Sequence, residues 1–389
     1  MDLSYGEWVL VLLIAALTIG ALVVNYARND YYSLFSPVSM LSIVFVYYVL
    51  AGPLISLNNG ETFYRLVEHR EYFFAAWLIS FIALVSFLLG FNISMSNRPS
   101  VRVPLQNFDE MSLQKNGRWL IIISIVFLLI ISGTGGLAGR VSFLDPTSGA
   151  NLGYGGAFRN YFLHGMNFLI SACCIFLILG LLGKTSWIYF LLALVLAVAV
   201  FTKEGFRFRH ILLGYSLFSA FYLFKRKKPS LVLLTAMVLM GITIMGFIRV
   251  SRIYGRGLDV SRAEGIAQQE LFMEGFGETS TFMTTGFLME MVPDVYEYIG
   301  FDPITQSLAM PIPRVLWPGK PSGDYLRIIE GLYGGGMAGR GVAVLSYGEY
   351  YLAFGYAGAV IGYMLLGFFY RRFWDWFKEN RENPYAIVL

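Results

Sequence analysis

What this chain has least of narrows its chemistry first. Only three histidines and two cysteines stand in 389 residues, too few for an ordinary nitrogen- and sulfur-liganded transition metal, and neither HExxH nor Cys-x-x-Cys occurs. Cys173 and Cys174 are neighbours inside an apolar run. Consecutive helical residues point in different directions, so the pair reads as packing residues and not as a disulfide. Charge is scarce: Asp, Glu, Lys and Arg make up 14% of the chain, against about a quarter in an ordinary soluble domain. The net charge of +4 leaves no basic, aromatic-interleaved patch for nucleic acid. There is no GxSxG elbow. "SGTGGLAG" (132–139) and "GLYGGGMAGRG" (331–341) lack the strand–loop–helix context and the Lys-Ser/Thr of a nucleotide loop. The N-terminus carries Asp2 and Glu7 without a basic leader, so it reads as a first span and not as a cleaved signal.

What is abundant is apolar. Hydrophobic residues make up 57% of the chain and aromatics 17%, gathered in runs of about twenty, which at about 1.5 Å per helical residue cross a bilayer core. The pattern predicts an all-α, polytopic membrane bundle forming a single membrane domain over 1–389. Nine spans are expected, near 8–27, 37–57, 72–93, 119–137, 161–182, 187–201, 211–224, 230–248 and 343–369. A long extracytoplasmic loop, 249–342, separates the last two. The ending "NPYAIVL" reads as the start of a tenth span, cut short.

Lys and Arg near span ends set orientation. Arg28, Arg98, Arg102, Lys115, Arg118, Lys184, the run 225–228, Arg371, Arg372, Lys378 and Arg381 fall on one set of short loops; Arg65, Arg70, Arg140, Arg159, Lys203, Arg207 and Arg209 fall on the other. The first set is twice the second and reads as cytoplasmic, which places the N-terminus and 249–342 outside. The outer side then holds thirteen arginines and two lysines, the inner side eight and six. Lysine suffices to hold a loop against an anionic leaflet, whereas arginine's planar fork grips phosphate or carboxylate in two-pronged fashion. Some outer arginines are expected to pair with Glu264, Glu270, Glu274 and Glu278; the others are candidates for an anionic ligand.

Four outer stretches carry those candidates. "FTKEGFRFRH" (201–210) brings Lys203, Arg207, Arg209 and His210 together directly after hydrocarbon, either as an interfacial anchor or as a phosphate-sized anion site. "IRVSRIYGRGLDVSR" sets Arg249, Arg252 and Arg256 at helical spacing, and the apolar, Met- and Phe-rich stretch after it reads as interfacial or re-entrant. In "IPRVLWPGKP", Pro313, Pro318 and Pro321, with Pro311 just before, forbid regular helix and stiffen a ribbon bearing Arg314, Trp317 and Lys320; Trp317 suits headgroup level. Arg340 follows the glycines. In "SYGEYYLAFGYAG" (346–358), Glu349 enters a span, either as a structural partner of an arginine or as a functional carboxylate.

"IPRVLWPGKP", the glycines after it and "GEYYLAFGYAG", with "VPDVYEYIGFDPITQSLAMPIPR" upstream and the charged turn Lys203–His210, resemble the Wzy-type O-antigen polymerases of bacterial oligosaccharide repeat units. The resemblance spans roughly 200–370. It implies a membrane-embedded glycosyltransferase, working outside the cytoplasmic membrane, that moves a growing glycan from undecaprenyl diphosphate to a hydroxyl of a new lipid-linked unit. Arginines would neutralise the diphosphate leaving group and a base would take the hydroxyl proton. On that implication Arg207, Arg209, Arg314 and Lys320 are the expected diphosphate ligands, with Arg249 and Arg340 behind them. Glu349 is the expected base and His210 its competitor. No cofactor or metal is implied, and a chain-length regulator is left open as a partner. Two other readings stay open. An O-antigen ligase typically relies on an outer-loop histidine, but His69, His164 and His210 all lie outside 249–342. A transporter or flippase needs ionisable groups near mid-membrane, where these spans carry almost none.

Overall fold

The structure, a computed structural model, describes residues 3–64, 67–93, 109–132, 165–204, 207–253, 257–309, 312, 317, 328, 331–332 and 343–388. In chain order it contains α1 (Tyr5–Ala27), α2 (Pro37–Phe45), a π-helical turn (Val46–Ala51), α3 (Gly52–Asn59), strands β1 (Phe63–Tyr64) and β2 (Val67–Glu68), α4 (Phe73–Asn92) and α5 (Glu110–Ser132). There follow α6 (Phe168–Leu181), α7 (Trp187–Glu204), α8 (Arg207–Lys225), α9 (Leu231–Ser251), β3 (Arg252–Ile253), β4 (Gly257–Leu258), α10 (Gln268–Glu274), α11 (Ser280–Met291), α12 (Asp302–Ala309), α13 (Ser346–Asn380) and α14 (Pro384–Val388). Each pair of two-residue strands forms an antiparallel ribbon. Among the described residues, six helices are long and apolar enough to cross a membrane: Tyr5–Ala27, Pro37–Asn59, Arg70–Asn92, Glu110–Leu129, Leu231–Ser251 and Ser346–Asn380. Phe168–Leu181 and Trp187–Thr202 are apolar but shorter. α8 covers the segment expected as the seventh span and falls outside both groups, its mean hydropathy lowered by Arg207, Arg209, His210 and Ser216. The protein is an integral, helical membrane protein.

Two compact units divide the chain. The first comprises Met1–Asn29, Ser33–Ser100 and Phe276–Asp375. Its α1 is launched by a capping box in which the Glu7 N–H donates to Ser4 Oγ (3.3 Å) and the Ser4 N–H to Glu7 Oε2 (2.7 Å). The turn into α2 is fixed by the buried amide of Asn25, whose Nδ2 donates to Ser36 Oγ (3.2 Å) and Ser39 Oγ (2.9 Å). The π turn precedes Pro53, which has no N–H to give and would clash with a carbonyl one turn back; the wider winding avoids both problems. α11 is buried from Thr281 to Met289 and packs along α4. The segment expected as a long loop thus contributes a core helix, whose Phe282 packs against Phe73 and Trp77 of α4.

The expected last span, 343–369, is not one straight helix. At Phe354 (φ −144°, ψ 24°) and Gly355 (φ 64°, ψ −152°) α13 breaks, and the chain doubles back. Ser346 Oγ lies 2.6 Å from Tyr363 Oη, although seventeen residues of straight helix would separate them by about 25 Å. The Tyr347 and Tyr350 rings each stand 5.9 Å from that of Tyr363. Residues 346–353 are therefore a short arm, antiparallel to the start of a longer one, 356–380. Gly355 sits in backbone space that is essentially glycine's alone. The longer arm crosses α4 with backbones nearly touching: a Cβ on Gly90 would overlap the Met364 carbonyl, and one on Gly367 the Phe87 carbonyl, the small-residue contact that apolar helices use to pack without a hydrophobic driving force.

The second unit holds Asp30–Tyr32, Val101–Gly275 and Trp376–Leu389. α6 is buried on every side and packs against α5, α7 and α8. Cys173 and Cys174 are free thiols within its core, as their apolar setting predicted. α9 and α10 pack together, and Arg249 near the end of α9 pairs with Glu274 at 3.0 Å.

Candidate functional site

The charged turn after α7 belongs to the second unit. α8 starts at Arg207, and two residues later Arg209 is 2% exposed despite its charge. Its guanidinium carbon lies 5.8 Å from the Phe201 ring centroid and 5.6 Å from that of Phe208. Aromatic faces present negative potential to the cation and hold it away from water. His210 is the next residue. One ring nitrogen, Nε2, stands 3.1 Å from Thr202 Oγ1 on α7, and the ring is edge-on to Phe201. Phe201 thus touches both candidates and ties the end of α7 to the beginning of α8. A guanidinium screened in this way acts through a lower effective dielectric than one in water, so an anion reaching it is held more strongly.

Arg249 has the bland fate foreseen for part of the outer arginines. Besides the Glu274 carboxylate it reaches that residue's backbone carbonyl, at 3.3 Å. Its charge is compensated locally, and it is the weaker choice for a diphosphate.

The first unit carries Glu349 on the short arm of α13, exposed between buried Gly348 and half-buried Tyr350. Glu349 is close enough to Tyr350 and Tyr363 to interact electrostatically with both. The arm is fixed at each end. The Leu345 N–H donates to Thr285 Oγ1 on α11 at 2.9 Å. At the break, Ile299 and Gly300 donate N–H groups to the carbonyls of Leu352 (3.1 Å) and Ala353 (2.9 Å), which have lost their helical partners. Between these, Tyr347 Oη lies 2.5 Å from Ser80 Oγ. Trp317, from the proline-rich stretch, is 40% exposed, while Ile328 and Leu332 beyond it join the core of this unit. Arg314, Lys320 and Arg340 lie outside the described residues, as does the side chain of Arg207.

Two features escaped the sequence reading. His69 is fully buried, edge-on to Tyr64, Tyr72 and Phe287. Its Nδ1 stands 2.7 Å from the Val67 carbonyl, which can only accept, so the proton of the neutral ring sits on Nδ1. Burial holds its pKa below the ordinary histidine value. Glu7, also buried, receives a two-pronged pair from Arg70 at 2.5 and 2.8 Å. Neither partner's sequence context announces the other across sixty-three residues.

The described residues thus form a multi-span helical membrane protein with charged side chains near span ends and a helix broken at Gly355. Residues 3–389 match the family O-antigen polysaccharide polymerase Wzy, and the chain belongs to that family. The match takes in the first five spans as well as the 200–370 region that carried the resemblance. No curated protein and no solved structure matches the chain. Polymerisation of O-antigen repeat units is the family's activity, and of the readings left open by the residues it is the polymerase that this match supports.

Proposed function

We propose that this protein transfers a growing glycan from a polyprenyl diphosphate to a hydroxyl of a lipid-linked repeat unit at the outer face of the cytoplasmic membrane. The observation that carries the proposal is Arg209, a guanidinium 2% exposed between Phe201 and Phe208 in the first turn of α8. In the transfer, the bond from the sugar's anomeric carbon to the diphosphate oxygen breaks with its electron pair, and the diphosphate gains negative charge. A bond forms from the acceptor oxygen to the same carbon, and the acceptor proton passes to a base. Arg209, with Arg207, Arg314 and Lys320, is assigned to the developing diphosphate charge, and Arg249 and Arg340 to supporting positions. Glu349 is the assigned base, an exposed carboxylate on an arm pinned at both ends. His210 competes for the role from beside Arg209.

A polymerisation assay with lipid-linked repeat units and purified protein tests these assignments. One charged hydrogen bond is worth about 1.5–3 kcal/mol, so Arg209→Gln is expected to lower kcat/KM by about 10- to 150-fold. Arg209→Lys recovers part of the loss, since it keeps the charge and loses the fork. Glu349→Gln is expected to cost about 10²–10⁴-fold, the usual contribution of a general base, with His210→Gln far milder. Full-length glycan at the wild-type rate from Arg209→Gln would sink the diphosphate assignment, and the reverse order of the other two variants would move the base to His210.

A further inference from the structure

A groove far along the chain from every candidate site residue above has the character of a ligand site. Met111, Gln114, Lys115, Arg118, Trp119 and Ile122 line a cavity of about 350 Å³. Spacings of three and four put them on one face of α5. At its polar end Lys115 and Arg118 stand one turn apart, and neither has an ion pair among the described residues. The nearby acids are engaged elsewhere: Glu110 holds Lys184 at 3.0 Å, and Asp109 accepts the Met111 N–H at 3.0 Å. Arg118 is steadied by the Tyr189 ring, 5.4 Å from its guanidinium carbon. Gln114 is tied by its Nε2 to Thr185 Oγ1 at 3.2 Å. The remaining walls are apolar and open, with Met111 77%, Trp119 53% and Ile122 47% exposed.

We infer that this groove binds the phosphate head of an anionic phospholipid, with Lys115 and Arg118 on the phosphate and Trp119 and Ile122 against the glycerol and acyl chains. Two cations with no acid between them attract a phosphate, and arginine beside lysine supplies both a fork and a compact point charge. A freely soluble anion has no use for the apolar half of the groove. An amphiphile covers both halves, and Trp119, half-exposed beside Arg118, is a residue type favoured where headgroups meet acyl chains. The staples at Glu110 and Gln114 hold the face rigid before any ligand arrives, so little order has to be imposed on binding.

The test uses the purified full chain in neutral detergent, titrated with fluorescent phosphatidylglycerol. The double variant Lys115→Gln/Arg118→Gln should bind about 30-fold more weakly, equivalent to about 1 kcal/mol per basic residue at about 1.4 kcal/mol per decade. Lys115→Arg should stay within about threefold of wild type, and Trp119→Ala should weaken binding without any change in charge. Helical circular dichroism confirms that the exposed substitutions leave the fold intact, and the single variant Lys115→Gln serves if the double one does not fold. Equal affinity in wild type and the charge variant overturns the inference. Displacement of the lipid by millimolar inorganic phosphate alone would reassign the groove to a soluble anion.

Discussion

Replacing Gly355 by alanine strikes the residue on which the two-armed shape of α13 depends. At φ 64° and ψ −152° an L-residue is strained by about 1–3 kcal/mol. The new methyl would also lie 3.0 Å from Tyr298 Oη, inside ordinary contact distance, adding about 1 kcal/mol or more. The alternative is to straighten the helix. That gives up the Ser346–Tyr363 bond and the two bonds from Ile299 and Gly300, at about 0.5–1.5 kcal/mol each. Either route costs about 2–4 kcal/mol, a large share of a typical stability of about 5–15 kcal/mol. A cysteine pair reads the geometry directly. A Cβ at position 362 lies 2.8 Å from Tyr350 Cγ, so the Cβ atoms of a Tyr350→Cys/Gly362→Cys pair come within about 4.3 Å, the reach of a disulfide. Along a straight helix twelve residues span about 18 Å, beyond any disulfide. With Cys173 and Cys174 replaced by alanine, the pair should oxidise readily in membranes, and adding Gly355→Ala should reduce the yield. An expressed, active pair variant that forms no intramolecular bond under oxidant would refute the reversal.

Arg70→Gln leaves Glu7 buried without its two-pronged partner. Breaking a buried pair costs about 3–5 kcal/mol, and because the Arg70 side chain is one-third exposed about 2–3 kcal/mol is expected, read as a fall in Tm that Glu7→Gln in the same chain partly reverses. His69, its pKa held down by burial, makes the protein acid-sensitive: above about pH 6.5 both folded and unfolded chains carry it neutral. Below that the unfolded chain takes up a proton that the folded chain resists, and stability falls with pH. His69→Gln should flatten the Tm profile between about pH 6.5 and 5; an unchanged slope would remove His69 from the account.

The spans were legible because hydrophobicity over twenty residues is a bulk property that the bilayer enforces. Expected 72–93 and 187–201 meet Arg70–Asn92 and Trp187–Thr202 within a residue or two. Helices that outrun the hydrocarbon were not legible in this way. α5 starts at Glu110, nine residues before the expected span, because "EMSLQKNGRW" carries a helical face without being apolar enough to mark. The reversal in α13 was invisible for a different reason. A window of twenty averages over Gly355, and the sign of one φ leaves hydropathy unchanged; only Gly355, Gly358 and Gly362, spaced to admit a neighbouring backbone, hinted at it. At the site, Arg209 and His210 were visible as residue types in a suspicious place. The burial of Arg209 was not, because it depends on how Phe201 and Phe208 pack. Arg249 was nominated for a ligand although Glu274, its actual partner, had been named among the available acids.

The short arm of α13 and its support by α11 explain how an apolar protein tolerates a carboxylate like Glu349. Non-helical backbone in apolar surroundings survives only where the protein supplies the missing partners. The arm at 346–353 has both its ends supplied: Thr285 accepts from Leu345 while donating to the Thr281 carbonyl at 2.7 Å, and Ile299 and Gly300 cover the break. With the backbone satisfied in this way, the arm is a fixed platform of about two turns. Glu349 is its sole charged side chain, and the sole Asp, Glu, Lys or Arg from Ser346 to Tyr370. Ionisable groups in such settings are costly, and their usual justification is function. A straight span would present Glu349 along a lipid-facing rod. The hairpin instead backs the arm with a second helix on one side and α11 on another, so the exposed carboxylate has a defined position relative to the tyrosines around it. If Glu349 is the base proposed above, meeting an acceptor hydroxyl within hydrogen-bonding distance requires that fixity more than proximity to charge.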